Sequence, residues 1–162
     1  MSVHDREIVV CRHSIFLKRA LLAFWAAWLS VVFATNLFDA GKAVGLLGES
    51  WALASGNYQI VAEATSRYGT PVWLNASLFL IVILWEGIAA LLFWRAWWKY
   101  RGGGWRGTSA LYAAFIVGLT LWAAFLIAAE MCIAYSFEGT FLRLFIAQLA
   151  TLIVIELLPE AG

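Results

Sequence analysis

The sequence predicts an all-α fold: a four-helix transmembrane bundle with a short helical external loop between the first and second spans. Three observations predict it. The 162 residues are 64% hydrophobic and only 13% charged, with mean hydropathy +0.83, whereas a soluble domain carries about 25% charged residues. Four stretches, 15–37, 72–98, 109–133 and 137–158, reach the roughly 20 mostly apolar residues needed to cross a hydrocarbon core. The ten tryptophans, within 16% aromatic content, suit a protein with two water–lipid interfaces to anchor. One integral membrane domain, residues 1–162, accounts for the whole length.

The elements follow in order. The opening segment MSVHDREIVVCRHS is polar and charged, and the apolar run after it is too long for a secretory signal. The first span is therefore expected to be retained. The connection 41–70 is long for a structureless loop. It is expected to form two short interfacial helices broken at Gly56-Asn57. The second span carries Glu86 within an apolar run. The segment Gly102-Gly103-Gly104-Trp105-Arg106-Gly107 fits G-x-G-x-x-G literally. It follows a membrane span rather than a strand, so it reads as a turn and not a dinucleotide site. Spans three and four are separated only around Tyr135-Ser136 and must form an antiparallel hairpin.

Orientation follows from basic residues near span ends. Arg6, Arg12, Lys18 and Arg19 precede or open span one, and Arg95, Lys99, Arg101 and Arg106 flank the second loop. The first external loop has only Lys42 and Arg67, offset by Glu49 and Glu63, and the third loop is acidic with Glu130 and Glu138. Both termini are expected in the cytoplasm. Trp94, Trp97, Trp98 and Trp105 would belt that interface, with Trp51 and Trp73 on the other side.

Several function classes have no support. A net charge of +1 provides no basic field for nucleic acid. Cys11 and Cys132 fall on opposite sides of the membrane and cannot pair within one chain. Two isolated cysteines make no tetrahedral metal site. His4 and His13 lie outside the span interiors, where a two-histidine haem site would need them. No cofactor and no catalysis are expected. Asn75-Ala76-Ser77 is a glycosylation triplet by sequence, but it lies too near lipid for modification.

Two polar sets remain. A carboxylate inside a bilayer costs about 2.5–3.5 kcal/mol on insertion scales and usually faces a bundle interior. Counting depth along the spans places Ser30, Trp122 and Gln148 near the level of Glu86. The four are expected to form an intramembrane polar layer, with Glu86 a neutral packing residue, part of a proton or ion relay, or bonded to another subunit or a bound lipid or quinone. Small-residue ladders, Ala110, Ala114 and Gly118 in span three and Ala23, Ala27, Ser30 and Ala34 in span one, would allow close helix approach. The second set is external: Asn36, Asp39, Asn75, Glu130, Glu138 and Arg143. Here the acidic residues are expected to compete for Arg143 in a salt-bridge network, the alternative being a shallow ligand site.

Asn36-x-x-Asp39 after span one, Glu86, Glu130, Arg143 and the terminal Leu158-Pro159-Glu160, in this order, resemble a bacterial family of predicted small integral membrane proteins of unknown function. The segment Met131–Tyr135 and the surroundings of Glu49 depart from that family's pattern. The resemblance implies the four-span fold, groups these polar residues together and implies no activity; a bacterial inner-membrane location is expected. The expected function is an accessory or stabilising subunit of a larger membrane complex, with the lipid bilayer and other membrane subunits as partners. The alternatives are a small transporter or channel using Glu86, and a redox subunit that binds quinone or lipid.

Overall fold

The computed structural model describes residues 3–48, 50–100 and 105–159. Glu49, Glu160 and residues 101–104, with Arg101 and most of the glycine-rich motif, lie outside the described residues. So do the side chains of His4, Arg6, Cys11, Trp105 and Arg106. The chain forms α1 (Val3–Ala43), α2 (Asn57–Thr65), a 3-10 turn (Ser66–Tyr68), α3 (Val72–Lys99), α4 (Trp105–Met131) and α5 (Tyr135–Leu157). Among the described residues, four helices are long and apolar enough to cross a membrane, over Arg12–Ala43, Val72–Lys99, Gly107–Met131 and Tyr135–Leu157. The fold is the four-helix transmembrane bundle that the composition predicts.

Helix α1 packs along α3, α3 on α4, and α4 on α5. Side chains return from α5 to α1 at one end. Trp25 Nε1 donates to Thr151 Oγ1 at 3.1 Å, and Ser14 Oγ donates to the Pro159 carbonyl at 2.6 Å. The inward face of α3 is a three-to-four-residue stripe: Asn75, Phe79, Ile83, Glu86, Ala89, Ala90, Phe93 and Ala96 are buried. Such spacing puts side chains on one face of a helix. Leu80, Ile81, Leu84, Ile88 and Leu91 point outward and are exposed, as lipid-facing residues should be. The core between the helices holds Leu22, Trp25, Leu29, Phe93 and Phe115, with the Phe93 and Phe115 rings edge-on at 5.0 Å. Lys18 is buried there too, over the Tyr100 ring at 5.7 Å.

Four boundaries and faces differ from expectation. Span one does not close at Leu37: α1 continues to Ala43, with Asn36 and Asp39 inside the helix. Gly45, at φ 76°, ends it. The Leu46 N–H bonds the Gly41 carbonyl at 2.8 Å and the Gly45 N–H bonds that of Lys42 at 2.9 Å, a Schellman closure that satisfies the last carbonyls. The following loop forms one α-helix, starting at Gly56-Asn57, rather than two. The stretch before it is tied to α1 instead, through the Ser55 N–H on the Thr35 carbonyl at 3.2 Å and the Trp51 ring on Phe38 at 5.6 Å. The hairpin turn lies at 132–134, just before Tyr135, with Ile133 at φ 55°. In the small-residue ladders, Ala110, Ala114 and Gly118 do face inward, but in α1 Ala27 is exposed and its neighbour Ala26 is buried. A one-residue step on a helix turns about 100°, so Leu22, Ala26 and Leu29 form the seam there.

Candidate functional site

The end of the bundle that carries α2, the cap end, holds a chain of polar side chains leading inward to Glu86. Glu86 is 2% exposed. Its two carboxylate oxygens accept from Asn36 Nδ2 at 2.9 and 2.8 Å. Asn36, 1% exposed, turns its Oδ1 toward the cap, where Ser55 Oγ lies at 2.7 Å and Asn57 Nδ2 donates at 2.8 Å. Ser55 Oγ is 3.3 Å from Asp39 Oδ2, and its single proton serves the nearer Asn36. The Tyr58 backbone N–H donates to Asp39 Oδ2 at 2.7 Å. Each amide atom of Asn36 therefore meets its chemical complement, which is how a buried polar group avoids its desolvation cost.

Local structure explains why the chain can form. Asn36 and Asp39 are three apart and share one face of α1. Gly56, at φ 77°, reverses the backbone so that α2 starts beside that face, with no side-chain cap of its own. The Asp39 carboxylate then meets an N–H of the first turn of α2, where such groups lack intrahelical acceptors. The cap is held at two further points. Thr65 Oγ1 donates to Asn75 Oδ1 at 2.7 Å, and the Tyr68 hydroxyl donates to the Met131 carbonyl at the end of α4. The Tyr58 ring rests on Phe79, centroids 5.7 Å apart. The cap is thus latched to α1, α3 and α4.

The predicted intramembrane layer does not assemble around Glu86. Ser30 donates to the Ala26 carbonyl at 2.7 Å and accepts from Trp94 Nε1 at 3.0 Å. Trp122 Nε1 and both polar atoms of Gln148 are buried with no hydrogen-bond partner among the described residues. Gln148 instead presses on Gly118. The reason lies in α1. Asn36, not Ser30, is level with Glu86, and Ser30 lies about 9 Å farther along the axis at 1.5 Å per residue. Depth counted from separately guessed span ends accumulates that error.

The predicted external cluster divides. Asn36, Asp39 and Asn75 are buried and bonded within the cap and its supports. Glu130 and Arg143 are exposed and Glu138 is half-buried. Among the described residues these three make no ion pair with one another or with Asp39. The expected salt-bridge network is absent because Arg143 faces outward from α5, whereas Asp39 faces the cap. Ser55, Asn57, Tyr58, Thr65 and Tyr68 complete the site and were not anticipated. Ser55-Gly56-Asn57 is a turn-forming sequence, and sequence alone reads it only as a helix break.

A scan against protein-family models finds no match, and searches of curated proteins and of solved structures find none either.

Proposed function

We propose that this chain is a non-catalytic subunit of a larger membrane assembly and docks through the outer face of α5. Arg143 carries the reading. It lies about 12 Å along α5 from Tyr135 at 1.5 Å per residue. It is exposed and has no partner among the described residues. Around it Leu142, Ile146, Leu149 and Ile153 are exposed. Only 11% of the apolar window of α5 is buried, against 39% in α4. A charge facing hydrocarbon is costly and calls for a counter-charge or access to the interface. A carboxylate on a neighbouring membrane helix would supply one, with the apolar residues filling the contact. Location in a bacterial inner membrane, both termini cytoplasmic, belongs to the same proposal and rests on the basic end formed by Arg12, Lys18, Arg19, Arg95 and Lys99. So does membership of the small integral membrane family whose motifs the chain resembles.

The test is purification of the full chain in mild detergent, with mass spectrometry of retained proteins. A stoichiometric membrane partner that is lost on Arg143→Ala, in a variant that still folds, is the expected result. A stable monomer with no partner counts against the reading.

A transporter using Glu86 is the second reading, favoured by the hydrogen-bonded path from exposed Ser55 to Glu86. Against it, Leu22, Trp25, Leu29, Phe93 and Phe115 fill the bundle toward the opposite end. Proton flux in liposomes that survives Glu86→Gln would sink it.

A further inference from the structure

At the end opposite the cap, an open groove of about 430 Å³ runs between α1 and α3, lined by Arg12, Ile15, Phe16, Arg19, Ala20 and Trp97. We infer that this groove binds the phosphate of an anionic membrane phospholipid. Four observations carry the assignment, and none of them involves α5.

The first is spacing. Arg12 and Arg19 are two helical turns apart on one face of α1, with Ile15, Phe16 and Ala20 on the same stripe. Their Cα atoms are separated by about 10 Å along the axis, so two long side chains can converge on one phosphate. The second is orientation. The Arg19 guanidinium lies over the Trp97 ring, 5.1 Å from its centroid. Stacking holds the planar fork without consuming its N–H groups. The third is unmet bonding. Arg19 Nε is buried and has no acceptor, and Arg12 has no partner among the described residues. A phosphate oxygen in the groove supplies acceptors to a fork whose geometry matches it. The fourth is level. From Arg19 to Asp39, α1 rises about 30 Å, the thickness of a hydrocarbon core. With Asp39 at the cap, Arg19 stands at the opposite boundary, where lipid phosphates lie, and Arg12 stands one layer outside. Phe16, 74% exposed, and Ala20 then offer an apolar wall to an acyl chain. Two guanidinium groups without an acceptor among the described residues favour a head group without its own ammonium.

The test is native mass spectrometry of the full chain in mild detergent, titrated with dioleoyl phosphatidylglycerol or dioleoyl phosphatidylcholine. The expected result is preferential binding of phosphatidylglycerol. Arg12→Gln/Arg19→Gln should weaken it at least about tenfold, the scale of a lost charge-assisted contact. Arg95→Gln, at an exposed arginine outside the groove, should leave it unchanged. If the double variant does not fold, Arg12→Gln alone alters an exposed side chain and should still weaken binding. Equal binding of the two lipids, retention unaffected by the groove variants, or an equal loss from Arg95→Gln would each overturn the assignment. So would displacement by inorganic phosphate at the lipid's own concentration, which marks a free-anion site instead.

Discussion

Asn36 spends its whole amide on joining two parts of the molecule, donating to Glu86 and accepting from Ser55 and Asn57. Asn36→Leu leaves both Glu86 oxygens without their donor in a site that water does not reach. Thermal unfolding in detergent should show a loss of about 1–3 kcal/mol. Adding Glu86→Leu should return part of that loss, because the buried carboxyl oxygens that lost their donor are then gone. A double variant as unstable as the two singles combined would show that the pair is not coupled. Ile133 poses the opposite case. It sits at φ 55° in the Schellman turn ending α4, its N–H on the Glu130 carbonyl at 3.1 Å and the Ala134 N–H on that of Ala129 at 2.8 Å. A β-branched residue is strained there, so Ile133→Gly should raise stability by about 1 kcal/mol in the same assay.

Between elements, the α4–α5 contact turns on one glycine. A Cβ at Gly118 would lie 2.6 Å from Gln148 Oε1 and 2.7 Å from Nε2, and Gln148, 0% exposed, has no open space to retreat into. Gly118→Ala is expected to destabilise by about 1–3 kcal/mol through overpacking. Gln148→Ala opens the space that the new methyl needs, so the double variant should be more stable than Gly118→Ala alone. Unfolding of all three variants in detergent measures this, and additive losses would rule out the contact. The α1–α3 seam has a similar close approach. A Cβ at Gly87 would meet the Phe33 ring at 3.0 Å, which is why glycine next to Glu86 lets Asn36 come within hydrogen-bond reach.

Across the whole molecule, the cap ties α1, α3 and α4 together and leaves α5 outside its latches. Tyr68→Phe with Thr65→Val removes its hydrogen bonds to α3 and α4. Each is worth about 0.5–1.5 kcal/mol, so amide exchange in α2 should quicken by roughly tenfold or more while the bundle core keeps its protection. Exchange in α2 that does not change would show that the bonds to Asn36 and Asp39 and the Tyr58–Phe79 contact hold the cap without them. The molecule thus has a latched side and an open side. The open side bears Arg143 and an apolar face, which is the surface on which the subunit proposal depends.

The sequence by itself determined the class of fold, the number of spans and the approximate ends of three of them. Those follow from the bilayer's thickness and from apolar run length, and neither depends on how helices meet. It also marked Glu86, Asn36, Asp39, Asn75 and Arg143 as residues needing partners, because a polar group in an apolar run announces its own cost. The partners were another matter. Depth counted from sequence sets Ser30 beside Glu86 and puts Asn36 in the external set, and only the extension of α1 to Ala43 and its register on α3 brings Asn36 to Glu86. Arg143 and Asp39 look like an ion pair on paper, yet helical rotation sends one outward on α5 and the other under the cap. Rotation and register are set by packing between helices distant in sequence, so the tertiary structure alone decided which polar residues meet.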